Sequence, residues 1–180
     1  MVMKRLLLAA ALAVATSTSS QQASAAPVAP AMPAAEPNAA GDIPDTQAFV
    51  TFTGRGYSVL VPEGWSRTQR GSAVTFTSNA NSEAIDIRPA SERYDVTARF
   101  HPVGQIVLRR HATLGTEPAN LFTFRTQSKP DPVTGKRIEL ENELYSSIRN
   151  GVHATLLLSA PVGADNVDQW KKIAGSFRWK

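Results

Sequence analysis

Three histidines are the residues best suited to acid–base or metal chemistry. His101, His111 and His153 lie on three different segments, and no pair has the HxH or HxxxH spacing common among metal ligands. The chain has no cysteine, which excludes disulfides, thiol nucleophiles and zinc–thiolate sites. The GxSxG motif is absent, so no serine is marked as a hydrolase nucleophile. We therefore expect surface or strand-face histidines and no catalytic residues, cofactor or metal.

A row of carboxylates is the one candidate for a metal site. Glu139, Glu141 and Glu143 are two residues apart, so they share one face of a predicted strand. Such oxygen ligands suit Ca²⁺, but no EF-hand-like loop accompanies the row. We favour a solvated face whose glutamates pair across the sheet with arginines such as Arg109 or Arg125.

The charge of the chain argues against a nucleic-acid partner. The formal net charge is +4. Without Lys4 and Arg5, 17 basic and 15 acidic residues remain, which is too balanced for an electrostatic nucleic-acid footprint. Arg109-Arg110-His111 could form a basic patch for acidic envelope polymers or lipid headgroups, but we favour ordinary surface charge, because neighbouring residues of a strand point to opposite faces.

Residues 1–25 have the organisation of a secretory signal peptide. Lys4-Arg5 precedes an apolar run from Leu6 to Ala15, and Ala23-Ser24-Ala25 places small residues at a cleavage site. The apolar run is too short to remain as a stable membrane anchor. We expect cleavage after Ala25 or one residue later, and a periplasmic or extracellular protein without a transmembrane segment.

The rest of the chain divides into a tether and one domain. Residues 26–46 are rich in alanine and proline, which predicts an extended, disordered tether. Residues 47–180 then form a single domain of common size, long enough for a core without disulfides. The sequence leaves the oligomeric state open.

Pattern, turn chemistry and capping agree best between Ile138 and Trp179. Two apolar segments are joined by Asn150-Gly151, a pair suited to a type I′ hairpin turn. A helix follows, with Asp165 as its N-cap and Gly175 as the left-handed residue after its last turn. Its apolar residues recur every three or four positions and form one face: Val167, Trp170, Ile173 and Ala174.

Further strands are predicted by short alternating segments. They are residues 48–53, 57–61, 73–77, 84–87, 105–112 and 120–126. Phe177 and Trp179 alternate and suit a last edge strand. We expect an α+β fold, with an antiparallel sheet of six to eight strands and the C-terminal helix packed on it. Trp65, Trp170 and Trp179 could line a ligand groove, but such residues more often belong to the core, and we favour the core for all three.

The order of these features resembles the PsbP-like superfamily, the lumenal photosystem subunit and its secreted bacterial relatives. The matching residues are 56–65 (GYSVLVPEGW), 158–161 (LSAP), Trp170 and 176–178 (SFR). The resemblance implies an antiparallel sheet between helices and no shared catalytic residues. Because no long helical pattern stands between Pro89 and Gln105, the second helical layer is left open.

The function expected from these observations is binding. The leading hypothesis is a secreted, non-enzymatic accessory domain that binds another protein of the cell envelope. One alternative is a carrier of a small ligand or lipid, with a pocket between sheet and helix. Another is an uncharacterised hydrolase, which requires a histidine and a carboxylate clustered in a cleft.

Overall fold

The computed structural model describes residues 41–91 and 108–180. His101 lies outside these residues, as does most of the stretch in which a second helical layer was left open. The described elements are β1 (Phe49–Gly54), β2 (Tyr57–Pro62), β3 (Ser66–Arg70), β4 (Ala73–Ser78), β5 (Asn81–Pro89), β6 (Leu108–Leu114), β7 (Glu117–Gln127), β8 (Glu139–Arg149), β9 (Val152–Pro161), α1 (Val167–Ser176) and β10 (Arg178–Trp179).

The strands form two antiparallel sheets. The larger has seven strands in the order β3-β4-β5-β9-β8-β7-β6, and the smaller has three in the order β1-β2-β10. β9 is the middle strand of the larger sheet, and seven of its ten residues are buried. The α+β fold class with one C-terminal helix is confirmed, whereas the division into two sheets and the strand β3 were not predicted.

One face of the larger sheet carries the main core. The smaller sheet and α1 pack on this face. Phe177 and Trp170 belong to this core, with 1% and 8% of their surface exposed, and Trp65 packs partly buried against it. On the other face, Phe124 and Leu144 form a smaller apolar cluster.

The β8–β9 hairpin turns as its sequence predicts. Arg149 pairs with Val152, so the loop has two residues. Asn150 and Gly151 both have positive φ, at 49° and 74°. This is the backbone signature of the type I′ turn, which matches the right-handed twist of the flanking strands.

Both predicted caps of α1 are wrong, the N-cap by one residue and the C-terminal cap because the helix continues past Gly175. The N-cap is Asn166 rather than Asp165, and the Asn166 side chain makes no capping hydrogen bond. Gly175 lies inside the helix without a positive φ, and the C-cap is Phe177. The helix continues to Ser176, whose hydroxyl donates to the carbonyl of Ile173 at 2.6 Å.

The folded unit begins earlier than residue 47. Ile43 is 4% exposed and belongs to the main core, and its N–H donates to Asn166 Oδ1 at 2.6 Å. The Gly41 carbonyl accepts hydrogen bonds from Asn81 and Asn166 at 2.8 and 2.9 Å. Residues 41–45 are therefore part of the domain and not of the tether, since their apolar and backbone groups have partners inside it.

No helix within residues 41–91 and 108–180 combines the length and the apolar character needed to cross a bilayer.

Candidate binding cleft

A cleft of about 1000 Å³ opens between the edges of the two sheets. The smaller sheet supplies one wall, through β1, β2 and β10, and the larger sheet supplies the other, through β3, β4 and β5 with the β8–β9 turn. The described residues that line it are Phe52, Thr53, Gly54, Arg55, Gly56, Tyr57, Arg67, Gln69, Gly71, Ser72, Val74, Ile87, Arg88, Pro89, Gly151, Val152, Trp179 and Lys180. Its volume is at the upper end of the range for small-molecule sites.

Aromatic rings form the wall contributed by the smaller sheet. Phe52 and Tyr57 meet edge to face at 6.0 Å between ring centroids. Tyr57 stacks on Phe177 at 5.7 Å, and Phe177 meets Trp179 edge to face at 5.4 Å. The rings pack against one another, so they form a rigid apolar surface. A side chain that enters the cleft can contact this surface without changing the positions of the rings.

Cationic groups stand around this apolar wall. Arg67 places its guanidinium carbon 4.8 Å from the Phe52 ring centroid, which joins the two edges across the cleft. Lys180 Nζ donates to Thr53 Oγ1 at 3.3 Å, and Arg55 is exposed. Arg88 differs from these three residues because it is paired with a carboxylate.

Arg88 is paired with a carboxylate of its own strand. Its guanidinium donates to Asp86, which also accepts a hydrogen bond from the Ser72 hydroxyl at 2.7 Å. No carboxylate is among the described residues that line the cleft. The charged side chains among the described lining residues are therefore all cationic.

Two ionisable groups are buried behind the cleft. Glu83 is fully buried, and burial raises the pKa of its carboxyl group well above the usual value. Burial, followed by the nearby Glu83 charge, raises the pKa of Tyr57 to about 12. Neither the Tyr57 hydroxyl nor the Glu83 carboxyl has a hydrogen-bonding partner among the described residues. Burial therefore disfavours the charged form of both groups.

The predicted carboxylate row is paired with arginines. Glu139 lies 3.5 Å from Arg125, as predicted, whereas Glu143 lies 3.8 Å from Arg110 and also accepts a hydrogen bond from the Tyr145 hydroxyl at 2.8 Å. Arg109, the other predicted partner, lies over the Phe122 ring instead. Within residues 41–91 and 108–180, no group of three or more His, Asp or Glu side chains is placed to hold a metal, Glu139, Glu141 and Glu143 included.

The two described histidines lie on the face opposite the main core. His153 is buried, and its Nε2 is 2.8 Å from Ser146 Oγ. Ser146 and the exposed His111 also line a smaller pocket of about 200 Å³. Ser146 lies mid-strand in β8, which is paired on both sides, so the backbone N–H groups beside it belong to the sheet and cannot form an oxyanion hole.

Of the three tryptophans, only Trp179 lines the cleft, and its indole N–H has no partner among the described residues. The pocket expected between sheet and helix is displaced, because none of the described lining residues belongs to α1. The cleft was not predicted because one of its walls is β3. All five residues of this strand are exposed, and none of them is apolar.

The comparisons with known proteins concern the fold. No known family and no curated protein matches the sequence. The solution structure of cyanobacterial PsbP from Synechocystis superposes with a TM-score of 0.53 and 15% identity, over 78% of this chain and 98% of that one. The fold is PsbP-like.

Two further solved structures resemble this PsbP-like chain more distantly. A crystal structure from Bacteroides thetaiotaomicron has a TM-score of 0.48 and 11% identity over 72% of this chain, which spans 48% of that protein. The Ran-binding protein Mog1p of Saccharomyces cerevisiae has a TM-score of 0.46 and 9% identity, over 74% of this chain and 95% of that one. The superposition on cyanobacterial PsbP confirms, at the level of the fold, the resemblance noted in residues 56–65.

Proposed function

We propose that this protein is an exported, non-enzymatic accessory domain of the cell envelope that binds a partner protein through the cleft between its two sheets. The observation that carries the proposal is the lining of the cleft. Arg55, Arg67 and Lys180 surround an aromatic wall, and no carboxylate is among the described lining residues. Aromatic anchors supply most of the affinity at protein interfaces, while complementary charge steers the partner and selects it.

The charge of the cleft defines the partner. A partner segment with Asp or Glu side chains would neutralise the three cations, and its apolar side chains would displace water from Phe52 and Trp179. A basic segment would be repelled. The partner segment is therefore acidic and carries apolar residues.

The proposed location rests on residues 1–25. Lys4-Arg5, the apolar run and the small residues that end at Ala25 have the organisation that export machinery recognises. We expect the mature chain to begin at Ala26, or one residue later, and to separate with the periplasmic or external fraction. N-terminal sequencing of the mature protein would contradict this if the chain began at Met1.

Site-specific photo-crosslinking tests the cleft as the binding surface. A photoreactive residue at Gln69, inside the cleft, should give an adduct in intact envelopes. The same residue at Lys171, on the exposed side of α1, should not. Mass spectrometry should place the crosslink in an acidic segment of the partner. Equal adducts from both positions, or a crosslink in a basic segment, would contradict the proposal.

A small-ligand carrier is the second candidate, favoured by the volume of the cleft. About 1000 Å³ is enough for an anionic ligand with an apolar body. Native mass spectrometry of protein released gently from envelopes separates the two functions. A fixed small mass adduct, lost when Trp179 is changed to Ala, would favour the carrier. Unliganded protein together with the Gln69 crosslink would favour the accessory domain.

A further inference from the structure

The outermost strand of the larger sheet, β3, borders the cleft. Among the described elements it pairs only with β4, in a register from Ser66 opposite Thr77 to Arg70 opposite Ala73. All five of its residues are exposed. An edge strand of this kind presents backbone N–H and C=O groups that a further strand can pair with.

The register of β3 determines which side chains face the cleft. Arg67 lies opposite Phe76 and Gln69 opposite Val74, and both of these partners belong to the main core. Arg67 and Gln69 therefore point into the cleft. Side chains alternate in the same way on neighbouring strands. A chain added beside β3 would place every second side chain in the cleft, opposite the Phe52 wall.

The charges of β3 select what can be added. Arg67 and Arg70 are its charged residues, and it has no carboxylate. Antiparallel addition of a second copy would bring arginines together, which disfavours self-association. An acidic strand would pair with them instead. The edge strand β1 also lines the cleft but has no charged residue, so it offers no comparable selection.

We infer that the partner segment is an extended acidic chain that joins β3 as an eighth strand of the larger sheet. The inference rests on the proposed function and specifies its binding mode. Backbone hydrogen bonds to β3 hold the segment, its cleft-facing apolar side chains contact the aromatic wall, and its carboxylates pair with Arg67 and with Arg55 or Lys180.

The test uses synthetic peptides against the whole mature protein. A displayed library of heptapeptides, in which both acidic and apolar residues occupy the positions of one strand face, is selected for binding. Binding is read by the change in tryptophan fluorescence that Trp179→Phe abolishes. The best peptide is then made in two N-methylated forms, one methylated at its odd residues and the other at its even residues. In a strand, these sets point to opposite edges, so only one form loses the donors that face β3.

The expected result is asymmetric. One N-methylated form should bind about tenfold or more weakly, because it lacks two or three backbone hydrogen bonds, while the other keeps its affinity. Equal binding by both forms would overturn strand addition and leave the cleft as a binding site. A library without any binder that changes Trp179 fluorescence would overturn both the inference and the proposed function.

Discussion

A buried carboxyl group behind the cleft makes stability depend on pH. Glu83 is fully buried on β5, between Phe76 of β4 and Leu158 of β9. Its raised pKa means that the folded protein keeps the proton at pH values where the unfolded chain has released it. The unfolded state then binds fewer protons, so stability falls as pH rises above the ordinary glutamate pKa.

Glu83→Gln should remove this dependence, because glutamine has a similar shape and does not titrate. The stability of the variant relative to the natural protein should rise by about 1.4 kcal/mol per pH unit, as long as the folded Glu83 stays protonated. Urea unfolding at pH 5, 6 and 7 measures this, with the exposed Glu63→Gln as the control. A difference that stays constant over this range would show that Glu83 is charged in the fold.

The arginines of β3 provide a matched pair for testing the charge of the cleft. Arg67 points into the cleft and Arg70 away from it, so Arg67→Gln and Arg70→Gln remove the same charge from opposite faces of one strand. Arg67→Gln should weaken binding of an acidic peptide about two- to fivefold, the usual range for an exposed ion pair, and Arg70→Gln should weaken it less. Titrations at low and high salt check the cause, because salt screens the lost interaction. Equal effects of the two substitutions would mean that the peptide does not enter the cleft.

Two glycines of neighbouring elements should respond to alanine with opposite signs. Gly151 has a φ of 74° in the β8–β9 turn and nothing within 4 Å of an added Cβ, so Gly151→Ala should cost about 1–2 kcal/mol through backbone strain alone. Gly175 is helical and also has open space around an added Cβ, so Gly175→Ala should stabilise by about 0.5–1 kcal/mol. Thermal or urea unfolding measures both. Destabilisation by Gly175→Ala would restore the left-handed cap that the sequence pattern suggests.

The elements that the sequence predicts correctly are those with local causes. The Asn150-Gly151 turn follows from the φ values that these two residues tolerate, and the apolar face of α1 follows from helical periodicity. Asn166 makes no capping hydrogen bond because its side-chain amide is bonded to residues 41 and 43, and such long-range partners cannot be read from a local capping preference. The turn and the apolar face of the helix are determined by residues close in the sequence, whereas the cap is not.

The candidate site was missed for a related reason. All residues of β3 are polar, so the strand has no alternating apolar pattern. The sequence also does not show that Glu83 of β5 is buried, because a glutamate at that position would suit a solvated strand face equally well. The cleft arises where the edges of two sheets meet, with Phe52 and Arg67 coming from different sheets. Sequence pattern reports which face of an element is apolar, but not which edges come together.

At the scale of the whole molecule, residues 41–45 connect the start of the domain to the C-terminal helix α1. Ile43 is buried in the main core, and Gln169 of α1 donates to Asp45 at 2.9 Å. The segment also lies against β9, because a Cβ on Gly41, which has a φ of 94°, would come within 2.4 Å of Pro161. Burying the Ile43 side chain contributes about 1.5–3 kcal/mol, part of which offsets the entropy lost in ordering the segment.

Truncation tests this connection. A chain that begins at Gly41 should unfold at the same urea concentration as one that begins at Ala26. A chain that begins at Gln47 should be less stable by about 1–3 kcal/mol, because it loses the Ile43 contacts and leaves the buried Asn166 amide with Asn81 but without Gly41 and Ile43 as partners. Ile43→Ala in the longest chain should shift the transition in the same direction. If the chains from Gln47 and Gly41 unfolded together, residues 41–45 would add no net stability, and the domain would begin where its strand pattern begins.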